Sequence, residues 1–413
     1  MNDANDVVIT GIGVVAPNGI GLDPFWESIL SGRSGIGPIT LFDATDLKSR
    51  IGGEVKDFDP DNFIDRELKG HRMARHTQFA YATAMMALED AKLSLDNGDL
   101  PGPIPVIVGV STSAMDIIEG LIDNFERRGT KGMSPGAVGA LTPQAVANVI
   151  ADRIGARAHA ATVSSACASG LDAITLAATM IRRGEADVAL CGGTDAPFTR
   201  HTIPAFIAAG LCSYRNDDPT AASRPFDALR DSGVISEGAG MFILESAVHA
   251  EARGAKPYLS IQGFSRQRDK NQSAPASGFV ESMRFALANA GRTPSDVDYI
   301  SAYGPGHPIL DAAEVQFIKE VFGEKAREVP VTSIKGVTGN PLAAGGPMQL
   351  ASCALSFRDQ VIPPVANLEN PDPKCDLNFV VGRPRRARLE CILLNVRGLG
   401  GSASSLVVEN CLS

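Results

Sequence analysis

The sequence predicts a duplicated α/β fold, two similar halves whose helices layer outside two sheets and between them. Three observations carry this expectation. Apolar β-branched runs alternate with alanine- and leucine-rich segments of helical period, the pattern of crossover units on a mostly parallel sheet. The same order of elements occurs twice, in residues 1–252 and again in residues 253–413. A length of 413 residues exceeds one typical domain and suits two halves that share a core.

The first strand is Val7 to Val15 (VVITGIGVV), and Tyr258 to Gly263 (YLSIQG) is its counterpart. Phe79 to Leu93 is an alanine- and leucine-rich helix, matched in length and period by Gly278 to Ala290. Pro105 to Val110 (PVIVGV) and Val297 to Ala302 (VDYISA) are the next strands. The repeat is clearest in the following unit. Ala161 to Leu190 runs strand, small-residue helix start, long helix, Arg182-Arg183 and apolar strand. Val331 to Val365 repeats that order, with Arg358-Asp359 before the closing strand. Each half then ends in a glycine-rich turn and a strand, Glu237 to Glu245 and Gly398 to Glu409. The polar stretch His249 to Lys256 marks the boundary.

Composition narrows the functional classes. Hydrophobic residues make up 44% and charged residues 21% of the chain, ordinary for a soluble globular protein. A net charge of −9 argues against nucleic acid as the main partner, which needs a basic face. The seven cysteines form no CxxC pair and are odd in number, which points to reduced cytoplasmic thiols rather than disulfides or a zinc site. The N-terminus, MNDANDVVITGIG, lacks the basic and apolar regions of a signal peptide. No apolar run is long enough to span a membrane.

Ala161 to Gly170 reads ATVSSACASG. An apolar strand runs into a cysteine flanked by small residues, and a helix follows. Small neighbours permit a tight strand-to-helix turn and close backbone approach. A thiol there faces the free N–H groups and positive end of the helix, which favour the thiolate and can bind a developing oxyanion. Cys167 is therefore the expected nucleophile, and the other six cysteines are structural. A rival motif, GIGVVA at Gly11 to Ala16, fits a dinucleotide fingerprint. Pro17-Asn18-Gly19 breaks the helix it requires, and no acid lies between Leu30 and Leu41. These glycines are read as a tight turn, with no nicotinamide cofactor.

With these residues in place, the chain resembles the type II β-ketoacyl-[acyl-carrier-protein] synthases, nearly end to end. ACASG at 166–170, NDDPTAASRPFD at 216–227 and SEGAG at 236–240 are similar to three of that family's signatures. The resemblance implies a thiolase-like, five-layer αβαβα fold and a homodimer or heterodimer. It implies no cofactor other than the phosphopantetheine arm on which an acyl carrier protein delivers substrate, and no metal. The departures are equally informative. Tyr303 stands where the family has one active-site histidine, and Asn340 where it has the other; Lys335 and Gly339 are kept. Pro305 and His307 replace threonines that hold the pantetheine arm, while Asp311 and Glu314 match an acidic pair. In the gate, Arg397-Gly398-Leu399-Gly400-Gly401 keeps the glycines and loses both aromatics, and Phe206 matches a second gate phenylalanine.

The resemblance implies catalytic roles for Cys167, Tyr303, Asn340, Lys335 and Glu314, with the Leu399 N–H completing the oxyanion hole. Phe206, His307, Arg397, Gly400 and Gly401 would bind substrate. His307 is expected as an exposed loop residue; Arg397 pairs with a carboxylate, such as Glu314 or a malonyl group, or faces solvent. Two basic clusters, Lys69, Arg72 and Arg75, and Arg127, Arg128 and Lys131, are candidate carrier docking sites or simply solvated helix faces. Three functions stay open: a divergent condensing enzyme or acyltransferase using Cys167, a non-catalytic chain-length-factor-like partner of an active synthase, and a coenzyme A enzyme of the same fold.

Overall fold

The computed structural model describes residues 6–94, 104–156, 159–270 and 276–412; the polar residues 1–5 that bear on the signal-peptide expectation lie outside them. Ten strands carry the architecture: β1 (Val7–Ala16), β2 (Val106–Gly109), β3 (Ala160–Val163), β4 (Val188–Asp195), β5 (Gly238–Ser246), β6 (Leu259–Arg268), β7 (Tyr299–Ser301), β8 (Pro330–Thr332), β9 (Cys391–Gly398) and β10 (Ser402–Asn410). In space they run β8-β7-β9-β10-β6-β1-β5-β4-β2-β3, with Asn378–Phe379 beyond β8. The first half is thus β1-β5-β4-β2-β3 and the second repeats it as β6-β10-β9-β7-β8. The halves join where β1 and β6 pair antiparallel at Val7–Ile261, Val8–Ser260 and Ile9–Leu259.

This duplication corrects two expectations. The sheet is mixed rather than mostly parallel: β1–β5 and β5–β4 are antiparallel, β4–β2 and β2–β3 parallel. The second half repeats this pattern. The strand closing the second repeat is also not the run ending at Val365. Val361–Ile362 pairs only with Arg385–Arg386 outside the main sheet, and the counterpart of β4 is β9, further along the chain. An insertion separates the helix from its strand, so the apolar run nearest the helix was the wrong partner.

Six helices complete the layers: α1 (Arg75–Asp90), α2 (Ala145–Arg153), α3 (Ser169–Arg182), α4 (Gly278–Asn289), α5 (Pro308–Phe322) and α6 (Gly345–Asp359). α1 covers β1 and β5 on one outer face, and α4 covers β6 and β10 on the other. α3 and α6 pack together between the sheets. α6 is buried from Gly345 through Phe357, as the central layer of five must be. No helix among the described residues is long and apolar enough to cross a membrane.

Gly11 and Gly13 are not turn residues. They lie inside β1, which is buried along its whole length, and α1 presses on them. A Cβ at Gly11 would sit 2.1 Å from the Ala87 carbonyl oxygen, and one at Gly13 would sit 2.0 Å from that of Thr83. The glycines exist because helix backbone occupies the side-chain space. The nicotinamide reading fails for this reason as well, since no loop is present to cradle a phosphate. Gly13→Ala is expected to destabilise the protein by about 1–3 kcal/mol through overpacking, read as a lower urea midpoint. Gly37→Ala, with nothing within 4 Å of the added carbon, serves as the comparison, and equal midpoints for the two would contradict the contact.

Candidate active site

β3 ends at Val163, and the chain turns through Ser164 to Ala168 into α3. Ala166 sits at φ 56°, a left-handed conformation costly for a residue with a Cβ. Local hydrogen bonds hold the turn: Ser165 N–H donates to Ser169 Oγ at 2.8 Å, and the Ser165 hydroxyl donates to Asp172 at 2.5 Å. Gly170, the last residue of ACASG, leaves room for the Ala343 carbonyl oxygen and Pro347, 2.2 and 2.6 Å from a notional Cβ. The second half thereby seats directly against the nucleophile turn.

Cys167 lines a narrow cleft together with Phe206, Tyr303, His307, Asn340, Arg397 and Leu399. Seven of the eleven residues named above from the sequence meet here. Lys335 and Glu314 lie behind Tyr303, outside the lining. Gly400 and Gly401, at φ 83° and 88°, form the turn joining β9 to β10 and do not line the cleft. The Leu399 N–H and the Tyr303 hydroxyl both face the Cys167 sulfur and favour its ionised form. Among the described residues no cluster of side chains suits a metal ion.

The electrostatics overturn the expectation of a resting thiolate. Burial, reinforced by the Asp195 carboxylate, pushes the Cys167 thiol up to about 11; Lys335, the Leu399 N–H and the Tyr303 hydroxyl oppose this without cancelling it. The helix-end argument omitted the cost of removing the charged form from water, which dominates here. Asp195, at the end of β4, is buried, and the Ser111, Thr112 and Ala343 N–H groups donate to it. Burial likewise raises the Tyr303 phenol well above its usual 10, so Tyr303 donates and does not act as a base.

Behind Tyr303 lies a buried polar layer. Lys335 Nζ sits 4.6 Å from the Tyr303 ring centroid and donates to Gln349 Oε1 at 3.1 Å. Burial lowers it to about 8, with Glu314, Cys167 and Asp311 pulling the other way. Glu314 accepts from the backbone N–H groups of Tyr303 and Gly304 at 2.8 and 2.9 Å. Asp311 accepts from Phe226, Gly306 and His307 N–H groups at 2.8, 3.1 and 3.0 Å, and burial raises it to about 7. The acidic pair thus fixes the loop backbone that carries Tyr303.

Three other expectations change. His307 is not an exposed loop residue; it is half-buried and caps α5, its Nδ1 accepting from Ile309 and Leu310 N–H at 3.2 and 3.3 Å. That fixes the proton on Nε2 and removes Nδ1 as a base. Arg397 pairs with Asp269 at 2.5 Å, not with Glu314. Arg75 is drawn inward to Glu237 of SEGAG at 2.7 Å, leaving Lys69 and Arg72 exposed without it. Sequence reasoning missed Asp195, Asp269 and Gln349. Each acts through a partner distant in the chain, and none stands in a local pattern that would flag it.

Comparison with known proteins follows the geometry. The model for the β-ketoacyl synthase N-terminal domain matches residues 4–250, and that for its C-terminal domain matches residues 258–369. The chain is 37% identical to 3-oxoacyl-[acyl-carrier-protein] synthase 2 of Synechocystis sp., covering 98% of this chain and 97% of the relative. It is 38% identical to the tetracenomycin polyketide synthase ketoacyl synthase alpha subunit of Streptomyces glaucescens, over 97% and 96%. Among solved structures, the ishigamide ketosynthase/chain length factor superposes with a TM-score of 0.90 at 30% identity, over 98% of this chain and 99% of the other. A type II PKS acyl-carrier protein in complex with its ketosynthase gives 0.87 at 31%, over 98% and 99%.

A raised thiol pKa has a direct readout. In the free protein, iodoacetamide labelling of Cys167, followed by peptide mass mapping, should rise about tenfold per pH unit from pH 7 to 9. A plateau at or below pH 8 would show the sulfur already ionised near neutrality.

Proposed function

The chain belongs to the β-ketoacyl synthase family, and from that premise we propose that it takes an acyl group onto Cys167 from an acyl carrier protein thioester and passes it on as a divergent condensing enzyme of fatty-acid or polyketide type. The observation that carries this is the retained nucleophile turn with two donors aimed at its sulfur. A purely structural subunit has no use for a strained turn at Ala166 or a sulfur facing a cleft.

The proposed acylation follows from the chain's own groups. The carrier's thioester carbonyl sits with its oxygen towards the Cys167 and Leu399 N–H groups, which stabilise the tetrahedral oxyanion. As the Cys167 sulfur attacks, the hydrogen bond from Tyr303 and the charge of Lys335 stabilise the negative charge gathering on it. A C–S bond forms to Cys167, the C–S bond to the phosphopantetheine arm breaks, and the thiol proton leaves with the departing thiol.

A second reading rests on a specific observation. Neither Tyr303 nor Asn340 is a histidine, and a ketosynthase/chain length factor superposes closely. On that reading the chain pairs with an active synthase and shapes its cavity. Carrier docking, where it occurs, falls to exposed Lys69 and Arg72 or to Arg127, Arg128 and Lys131.

Incubation with an acyl carrier thioester followed by intact-mass measurement separates the readings. Addition of one acyl mass, absent in Cys167→Ala, is expected. Tyr303→Phe should slow the gain on the order of tenfold or more, the scale of a hydrogen bond to a charged group. No mass gain, together with co-purification of a sibling synthase, would favour the partner-subunit reading.

A further inference from the structure

A condensing reaction needs a second set of donors, directed at the thioester oxygen of the incoming carbon nucleophile. Tyr303 faces the Cys167 sulfur, where it favours the ionised form. Two other side chains lining the cleft have polar groups without a protein partner. The Asn340 side-chain amide makes no hydrogen bond to the described residues, and its Oδ1 is among the buried atoms left unpaired. Arg397 is anchored through Nη2 to Asp269 at 2.5 Å, while its Nε is buried with no partner and no hydrogen bond joins its Nη1 to the described residues.

We propose that Arg397, with Asn340, donates to the carbonyl oxygen of the nucleophile's thioester and stabilises the enolate. This inference rests on the acyl-transfer reading above. The backbone places Arg397 two residues before Leu399, whose N–H touches the sulfur. Its side chain lines the same cleft as Cys167, Tyr303 and Asn340. A guanidinium N–H is a charge-assisted donor to a developing anion, stronger than the neutral imidazole N–H that His307 offers.

The ion pair with Asp269 matters to the energetics. Both side chains are about nine-tenths buried, with relative exposures of 11% and 9%, so the pair carries no net charge. A lone guanidinium would bind the carboxylate of a malonyl-type thioester in its ground state and oppose its loss. A guanidinium already neutralised has less hold on that carboxylate yet keeps polarised N–H groups for the enolate oxygen. Stabilisation confined to the transition state is what accelerates a step. In the step itself, the bond between the methylene carbon and the carboxylate breaks and CO2 departs. The electron pair moves onto the thioester oxygen as the enolate. The enolate carbon then bonds to the acyl carbon on Cys167 and the C–S bond breaks, its electron pair returning to the sulfur.

The test measures CO2 release from malonyl carrier protein by the full-length, acylated protein, normalised to the fraction of Cys167 acylated in each sample. Arg397→Met alone leaves the Asp269 charge buried without its cation, held only by the Ala276 and Gly278 N–H groups, so it is paired with the double variant Arg397→Met/Asp269→Asn. In the double variant CO2 release per acylated site should fall on the order of 10²-fold, and Arg397→Lys, which keeps a cationic N–H donor, should recover part of it. Arg388→Ala, an exposed arginine outside the cleft, should stay within about twofold. A fall of less than about tenfold in the double variant overturns the proposal, as does a larger loss in His307→Ala or an equal loss in Arg388→Ala. A wild-type protein that acylates yet releases no CO2 overturns it too, while leaving the acyl-transfer reading in place.

Discussion

The site depends on one close approach. At the end of β9, Gly398 lies so near the nucleophile turn that a Cβ would fall 2.3 Å from the Ser165 carbonyl oxygen. Any side chain there would push the two halves apart, and the next N–H, that of Leu399, would no longer reach the sulfur. On the other side of the turn, Gly170 receives the Ala343 carbonyl oxygen in the same way. Cys167 belongs to the first half and the Leu399 N–H and Tyr303 hydroxyl that face its sulfur to the second, so the cleft keeps this geometry only while these glycine contacts hold the halves in register.

Buried carboxylates do the rest of the positioning, and they act on backbone. Asp195 collects N–H groups from the segment after β2 and from Ala343, three residues beyond Asn340. Asp311 and Glu314 fix Phe226 and the Tyr303–His307 loop. Burial pushes all three carboxyls upward from their ordinary values. Multiple N–H donors make burying such groups tolerable.

Much of this was legible in the sequence. The β-branched runs located β1, β2 and β7, and the small residues around Cys167 marked a tight strand-to-helix turn. What stayed hidden was long-range. Gly11 and Gly13 look like a loop because glycine usually signals one; the helix filling their side-chain space is some 70 residues away in the chain. The Arg397–Asp269 pair spans 128 positions, and no local pattern announces it. The protonated state of Cys167 was missed because helix-end electrostatics can be read from order along the chain, whereas desolvation depends on everything packed around the sulfur.

The Tyr303 loop is held by hydrogen bonds from its main-chain amides to Glu314, and an amide is present whichever side chain follows. The loop's anchorage is therefore indifferent to the side chain at 303, and only the packing of the buried ring, in the core and beneath Lys335, ties that side chain to the fold. Backbone tethering and side-chain packing are thus separable at this position, and a substitution of matching volume leaves the first untouched.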